Sequence, residues 1–266
     1  MSGDRPTDPR RDPWSRFRAA TPARIALGRV GDGLPTAPML EFQAAHARAR
    51  DTVHGTVDYD RLAERLAPHA VLRVHSQAAD RATYLRRPDL GRRLDPQSAG
   101  ALVPGDWDLV FVIADGLSAL AVNHHAADLV LAALARLPGW RVGPVVLAEQ
   151  ARVALGDEIG GLLGARLVAV LVGERPGLSV ADSLGVYLTW GPRIGCKDAE
   201  RNCISNIHAA GLGIEPAAGK LVWLATEASV RRLTGVALKE DAPTAIGPQE
   251  PPAVISPSSR GPQGGS

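Results

Sequence analysis

The sequence has few cysteines, little net charge and no long apolar run. Only two cysteines occur among 266 residues, which excludes a disulfide-stapled scaffold and a multi-cysteine zinc module. The formal net charge of +2 is too small to indicate a nucleic-acid partner, and no apolar run approaches the roughly 18 residues of a membrane span. The first thirteen residues are polar and interrupted by proline, unlike a secretory signal. We therefore expect a cytoplasmic protein without nucleic-acid or membrane partners.

Arginine is abundant in the chain and unevenly distributed. Residues 1–100 carry 17 arginines, no lysine and 12 acidic residues, a net charge of +5, whereas residues 101–266 carry a net charge of −3. Arginine makes planar, bidentate contacts with carboxylates and tolerates partial desolvation, which suits a protein interface. A solvated surface that reflects coding bias explains the same pattern. A protein partner for the first part is therefore one of two open interpretations.

The spacing of apolar residues predicts that the chain has two structured regions. Residues 16–103 contain helix-start signals and helical spacing, and no convincing strand precedes residue 100. We therefore predict a helical N-terminal region, with helices over residues 21–28, 36–55, 59–66 and 80–86.

Residues 104–239 alternate short apolar runs with segments of helical spacing, which is typical of an α/β fold. We predict a Rossmann-like, mostly parallel sheet flanked by helices. The predicted strands run over residues 108–114, 142–147, 167–172 and 186–190, and the predicted helices over residues 118–137, 157–164 and 216–233. Residues 1–15 and 240–266 are rich in proline and polar residues and are predicted to be disordered.

In open parallel sheets, ligands bind at the loops beyond the carboxyl ends of the strands. These loops hold residues 115–118, 149–153 and 173–177.

The Gly-rich patterns of dinucleotide- and phosphate-binding loops fail here, since the glycines are missing or wrongly spaced. Ser118 lies at a strand-to-helix turn like a hydrolase nucleophile, but Leu120 stands where that turn needs glycine. A helix N-cap is the better interpretation of Ser118.

Metal ligation also finds little support in the sequence. His124 and His125 are adjacent on a predicted helix, so their side chains should point about 100° apart and not chelate together. Cys196 and Cys203 lie seven residues apart, unlike the close pairs of zinc sites, and each is more typical of an inert thiol than of a nucleophile. We predict no metal site.

Four sequence strings identify a family when they are taken together. They are YLRRPDLGRRL (84–94), DGLS (115–118), GERPGL (173–178) and CISNIH (203–208). In this order and spacing they closely resemble the small, or light, subunit of ethanolamine ammonia-lyase. The resemblance runs from about Arg16 to about Leu233.

The resemblance implies a function that the residues alone do not. Ethanolamine ammonia-lyase uses adenosylcobalamin and radical chemistry to convert ethanolamine to acetaldehyde and ammonia. In the family, a large (heavy) TIM-barrel subunit binds the substrate and carries out the catalysis. The small subunit covers the other side of the cobalamin, and large–small pairs assemble into a hetero-oligomer. This chain is then expected to hold cofactor contacts but no catalytic residue. The alternative is a stand-alone cobalamin- or nucleotide-binding α/β module.

The resemblance carries three cofactor contacts over to this chain. Glu174 is the acid of GERPGL, Cys203 opens CISNIH, and Val153 matches a third contact. His208 falls in N-x-H-x-x-G, close to the D-x-H-x-x-G motif with which some proteins ligate the cobalt of cobalamin. Because Asn206 cannot supply the charge of that aspartate, and because the family keeps the cofactor's own base on cobalt, His208 is not expected to be an axial ligand.

The same resemblance suggests a role for the arginine-rich first part. Since the expected cofactor contacts all lie in the second part, we assign residues 16–103 to docking of the large subunit. Arg86, Arg87, Arg92 and Arg93 are the leading candidates. Many family members carry a long N-terminal extension that directs packaging into a bacterial microcompartment, and only about fifteen polar residues precede the matched region here. A cytoplasmic location is the corresponding expectation.

Overall fold

The computed structural model describes residues 14–21 and 23–239. The segments predicted to be disordered, 1–15 and 240–266, therefore lie outside the described residues except for Trp14 and Ser15. Ser15 is already part of the first helix. Among the described residues, no helix is both long enough and apolar enough to span a bilayer.

Helices and strands alternate along most of the described chain. The strands are β1 (Val71–His75), β2 (Trp107–Ala114), β3 (Val145–Glu149), β4 (Ala165–Gly173), β5 (Leu184–Trp190) and β6 (Arg201–Ile207). The helices are α1 (Ser15–Ala20), α2 (Thr36–His54), α3 (Tyr59–Leu66), α4 (Arg81–Arg86), α5 (Pro96–Gly100), α6 (Ala119–Ala121), α7 (Ala127–Leu134), α8 (Leu155–Leu162) and α9 (Ile214–Arg231). A π-helical turn, Val122–Ala126, joins α6 to α7, and 3-10 turns cover Leu90–Arg92, Asp198–Glu200 and Gly235–Ala237.

The six strands form one mixed sheet in the order β1-β3-β2-β4-β5-β6. The four strands β1, β3, β2 and β4 are parallel to one another. At one end of the sheet, β5 pairs antiparallel with β4, and β6 pairs antiparallel with β5. The prediction of an α/β fold with a mostly parallel sheet is confirmed. The Rossmann-like detail is not, because the dinucleotide-binding fold has the strand order 3-2-1-4-5-6.

Side chains that alternate along β2 bury both faces of the sheet. Leu109, Phe111 and Ile113 belong to one apolar cluster with residues of α3, α7 and α9. Val110 and Val112 belong to a second cluster with residues of α8 on the opposite face. Since successive side chains of a strand point to opposite faces, a continuous apolar run produces this three-layer arrangement.

Two expectations for the first hundred residues are wrong. Residues 71–75 form β1, which pairs in parallel with β3, so the predicted all-helical region contributes a strand to the sheet. The helix predicted over residues 21–28 is absent from the described part of that segment. The helix there is α1 instead, which ends at Ala20, and Thr21 is already extended.

Short polar side chains begin several of the helices. Asp58 and Asp80 accept hydrogen bonds from the backbone N–H groups of the first turns of α3 and α4. Ser118 does the same for α6, because its Oγ accepts from Ala121 N at 3.1 Å. The same hydroxyl donates to the carbonyl of Ala181 at 2.8 Å. Ser118 is thus a helix cap, as predicted.

Non-strand segments lie against both edges of the sheet. At β6, Asn202 Nδ2 donates to the carbonyl of Leu238 at 2.8 Å, and Asn202 Oδ1 accepts from Gly235 N at 2.8 Å. At β1, the backbone N–H of His75 donates to Ser98 Oγ, and its carbonyl accepts from Asp95 N, both at 3.0 Å. These contacts use the segment that follows α9 and the start of α5.

Candidate functional site

Two neighbouring clefts lie beyond the carboxyl ends of the parallel strands. The first has a volume of about 350 Å³, and its walls include Gly116, Leu117, Val172, Gly173 and Glu174. The second has a volume of about 500 Å³, and its walls include Arg92, Cys196, Lys197, Asp198 and Arg201. Both share Arg152, Val153 and Tyr187. The loops predicted to bind a ligand therefore meet at one surface, with Val153 where the clefts adjoin.

Close backbone contact forms the floor of the first cleft. Leu117 N donates a hydrogen bond of 2.8 Å to the carbonyl of Gly173. A Cβ atom on Gly173 would overlap the carbonyl oxygen of Ser118. Gly116 has a φ of +57°, and a Cβ there would overlap the carbonyl of Gly173. The loop after β2 and the end of β4 can meet this closely only because both positions are glycine.

A buried carboxylate fixes the loops that follow β2 and β3. Asp115 Oδ1 accepts from Ala151 N at 2.8 Å and from Gly116 N at 3.0 Å, and Oδ2 accepts from Gln150 N at 3.1 Å. Arg81 Nη1 lies 3.3 Å from Oδ2. Burial raises the pKa of Asp115 to about 6, although these backbone hydrogen bonds and Arg81 act to lower it. Asp115 thus positions residues 150 and 151 beside the clefts.

Arg152 is held against an aromatic ring. Its guanidinium carbon lies 4.6 Å from the centre of the Tyr84 ring, and Nη2 donates to the Tyr84 carbonyl at 3.3 Å. Its Nε atom is buried and makes no hydrogen bond to protein. Sequence reasoning did not single out Arg152 or Tyr84. The signal available for Arg152 was its place in the loop after β3, next to Val153.

Glu174 follows β4 and is fixed from two sides. Its Oε2 accepts from Ser183 Oγ at 2.5 Å and from Asn206 N at 3.4 Å. A Cβ on Gly185 would lie 2.9 Å from Glu174 Oε1, so this carboxylate packs closely on β5. The half-buried side chain lines the first cleft, where the loop after β4 was expected to meet a ligand.

Cys203 lies on β6 directly opposite Tyr187 of β5. Its side chain is exposed and lines neither cleft, whereas its strand neighbour Tyr187 lines both. Protein packed around the thiol and the charge of Glu174 raise the pKa of Cys203 above its ordinary value, so the neutral thiol dominates at pH 7. The structure thus gathers Val153, Glu174 and Cys203 around Tyr187, a residue that sequence reasoning missed.

Both ring nitrogens of His208 are used within the chain. Nε2 lies 2.8 Å from Asn206 Oδ1, and Nδ1 accepts from Ala210 N at 3.3 Å. Asn206 itself adopts a φ of +61° at the end of β6. His208 is a buried histidine held by hydrogen bonds, which was the simpler of the two interpretations of its motif.

Comparison with known proteins identifies the chain. The sequence model of the ethanolamine ammonia-lyase light chain matches residues 11–239, which include Val153, Glu174 and Cys203. The chain belongs to the ethanolamine ammonia-lyase small-subunit family. This confirms the resemblance seen in the sequence strings.

Individual members of the ethanolamine ammonia-lyase small-subunit family match over nearly their whole length. The small subunit of Ralstonia nicotianae is 53% identical over 249 residues, 90% of this chain and 92% of its own length. That of Xanthomonas campestris pv. campestris is 54% identical over 248 residues, 89% and 91% of the two chains. That of Azotobacter vinelandii is 53% identical over 246 residues, 88% and 90%.

The geometry expected for the adjacent histidines His124 and His125 is wrong. His124 and His125 were expected to point apart and not to chelate together. They lie in the π-helical turn instead of an α-helix, and one ring nitrogen of each lies within 4.8 Å of the other and of a carboxylate oxygen of Asp182. His124 offers Nδ1, near the backbone, and His125 offers Nε2, at the far end of its ring. Because the two residues use different ring nitrogens, their donor atoms can approach the same carboxylate although the residues are adjacent in the sequence.

Proposed function

We propose that this chain is the non-catalytic small subunit of an adenosylcobalamin-dependent ethanolamine ammonia-lyase, a carbon–nitrogen lyase that converts ethanolamine to acetaldehyde and ammonia. In this proposal the chain forms one side of the cobalamin site, at an interface with a catalytic large subunit. The observation that carries the proposal is the convergence of Val153, Glu174 and Tyr187 on one open surface, with Cys203 opposite Tyr187. Of the three predicted contacts, Val153 and Glu174 line the first cleft, although they come from different loops, and Cys203 lies on the strand beside it, paired with Tyr187.

The residues of the clefts fit the chemistry of a corrin. A corrin presents a flat apolar ring with amide groups at its edge. Leu117, Val153 and Val172 supply apolar surface, and Gly116 and Gly173 form a floor without side chains that would project into the cleft. Glu174 can accept hydrogen bonds from amide N–H groups, and the guanidinium of Arg152, which lines both clefts, can donate to an amide or phosphate oxygen. When bound, adenosylcobalamin supplies a carbon radical through homolysis of its cobalt–carbon bond.

Within this proposal the chain's own residues bind the cofactor and orient it. Asp115 holds residues 150 and 151, and Ser183 holds the carboxylate of Glu174, so both polar sides of the first cleft are preorganised. Because the Cys203 thiol is neutral, it supplies a small contact surface and not a nucleophile. The clefts are partly open to solvent, which supports the proposal that a second subunit completes the enclosure.

Cofactor retention in the presence of the large subunit tests the proposed function. We expect the mixture of this chain with an ethanolamine ammonia-lyase large subunit to retain cobalamin through gel filtration, as followed by visible absorbance. Replacing Glu174 with Ala should weaken cofactor binding about 10-fold, since a lost hydrogen bond to a charged group costs about 1.5 kcal/mol. The KM for ethanolamine should change less than about twofold, because Glu174 is proposed to contact the cofactor and not the substrate.

Glu215→Ala is the matched control for this experiment. Glu215 is an exposed carboxylate at the start of α9 that pairs with the surface residue Arg136. It should leave cofactor retention unchanged. Equal losses of cofactor and ethanolamine binding in Glu174→Ala would mean that Glu174 does not contact the cofactor. If the chain alone retained cobalamin as well as the mixture does, a stand-alone binding module would be the better description.

The arginines near residue 90 provide a separate test of docking. Arg92 and Arg93 are exposed, and neither makes an ion pair with another described residue, whereas Arg87 pairs with Asp89 at 2.7 Å. Replacing both Arg92 and Arg93 with Ala should weaken association with the large subunit about 10-fold, as measured by surface plasmon resonance, with a smaller dependence on salt. A double replacement of the exposed Arg136 and Arg231 removes the same charge elsewhere and should have little effect. If the variant without Arg92 and Arg93 associates as strongly as the original chain, these arginines belong to an ordinary solvated surface.

A further inference from the structure

His124, His125 and Asp182 form a group of metal-ligand donors outside the two clefts. Asp182 Oδ2 lies 3.6 Å from His124 Nδ1 and 3.5 Å from His125 Nε2. In a tetrahedral site with zinc–ligand distances of about 2.1 Å, neighbouring donor atoms are about 3.4 Å apart. These two separations are therefore close to those that a single bound ion requires, and longer than ordinary hydrogen bonds.

The hydrogen bonding of this group is incomplete without a ligand. The Nε2 atom of His125 is buried and has no hydrogen-bond partner, although 14% of the side chain is exposed. A buried polar atom without a partner costs free energy, so native proteins rarely leave one unsatisfied. A metal ion between the rings and Asp182 would satisfy it. His124 is 52% exposed, which leaves a path for the ion from solvent.

The backbone supports the convergence of these side chains. The π-helical turn Val122–Ala126 interrupts the helix between α6 and α7, and such turns often occur at functional sites. Neighbouring contacts hold the turn in place. Asn123 Oδ1 accepts from Asp58 N at 2.9 Å, and Ser118 Oγ binds the carbonyl of Ala181, next to Asp182.

We infer that His124, His125 and Asp182 bind one divalent transition-metal ion, with Zn²⁺ as the best match. Two imidazoles and one carboxylate are ligands of zinc and of neighbouring first-row metals, and a three-ligand set leaves a position for water. This inference does not depend on the proposed function. The ion would tie the segment before β5 to the turn after α6, and Ser183, the next residue in that segment, binds Glu174.

Metal titration of the full-length chain without a polyhistidine tag tests the site. After dialysis against a chelator, Co²⁺ should bind with a stoichiometry of one per chain and give visible d–d absorption, and Zn²⁺ should displace it. His124→Ala and Asp182→Asn should each weaken binding at least 10-fold. Saturating Zn²⁺ should raise the Tm of the original chain by about 5 °C and leave the Tm of the variants unchanged.

His54→Ala is the matched control, because His54 is an exposed histidine at the end of α2. It should bind Co²⁺ like the original chain. His124→Ala is expected to fold, since its side chain is largely exposed, and circular dichroism will confirm this. The inference is overturned if the original chain binds no ion, or if it binds equally well after the loss of His124 or Asp182. In either case the three side chains form only a charge cluster.

Discussion

Replacing Asp157 with Ala is expected to lower the free energy of unfolding by about 3–5 kcal/mol. Asp157, in the first turn of α8, and Arg201, at the start of β6, are each only 2% exposed. Their contact is bidentate, with Arg201 Nη1 on Oδ1 and Nη2 on Oδ2, the latter at 2.8 Å. Loss of the carboxylate would leave the guanidinium charge buried without its counter-charge, which is the costly way to break a buried pair.

The surroundings of Arg201 explain why the guanidinium cannot simply move to water. It also donates to Thr189 Oγ1 at 3.1 Å and to the Cys196 carbonyl at 2.9 Å. Burial would lower the pKa of Arg201, but the hydrogen bonds and charge of Asp157 raise it above its ordinary value. The charge is therefore present at every pH at which the protein is folded, and the variant has to bury it.

Urea unfolding followed by circular dichroism measures this loss. Glu227→Ala is the control, because Glu227 pairs with Arg231 on the surface of α9 at 2.7 Å. A surface pair of this kind contributes less than about 1 kcal/mol. Similar losses for the two variants would contradict a special role for the buried pair. Because Arg201 also lines the second cleft, the proposed function adds the expectation that Asp157→Ala reduces cofactor retention.

Gly173→Ala is expected to destabilise the chain by about 3 kcal/mol and to abolish the floor of the first cleft. The added methyl group would overlap backbone atoms of Ser118 and lie 2.8 Å from the carbonyl oxygen of Asp115. Backbone atoms cannot rotate away from the added methyl group as the end of a flexible side chain can. The end of β4 and the loop after β2 would have to separate, which breaks the hydrogen bond from Leu117 N.

Gly219→Ala is the control for this substitution. Gly219 lies inside α9, and a Cβ there would meet no atom within 4 Å. The exchange should stabilise the chain by about 0.5–1 kcal/mol, because alanine has the higher helix propensity. Opposite signs of the two changes, measured by thermal unfolding and urea unfolding, are the expected result. A neutral Gly173→Ala variant would show that the two loops are free to move apart.

The strongest apolar patterns predicted their elements well, and weak patterns failed for identifiable reasons. The continuous run around Phe111 became β2, whereas β1 has only five residues with exposed Arg73 at its centre. The strand predicted over 142–147 begins instead at Val145, because Val142 makes only an isolated bridge to Leu109 and Pro144 has no backbone N–H to donate. Apolar periodicity marks buried central strands and leaves short edge strands unmarked.

The candidate site was partly predictable from its position in the sheet. Glu174 and Val153 follow β4 and β3, where the carboxyl ends of parallel strands bring loops together. The place of Cys203 was not predictable in this way, because it depends on β6, an antiparallel strand of irregular burial with a register shift against β5. The pairing of Cys203 with Tyr187 is a property of that register and leaves no local trace in the sequence.

The histidine pair was misjudged because sequence spacing assumes a regular helix. An α-helical turn would separate the side chains of His124 and His125 by about 100°. The π-helical turn and the use of different ring nitrogens bring their donor atoms toward Asp182. Asp182 is 57 residues further along the chain than His125, so only the folded sheet and its loops bring the carboxylate to the rings.

The contacts at the two ends of the sheet have a consequence for self-association. Open strand edges invite pairing with strands of other molecules and promote aggregation. Here Asn202 on β6 holds the segment around Gly235 and Leu238, and His75 on β1 holds Ser98 and Asp95. Growth of the sheet into a chain of identical copies would have to displace these segments at both ends. The fold thus discourages polymerisation through its β-edges.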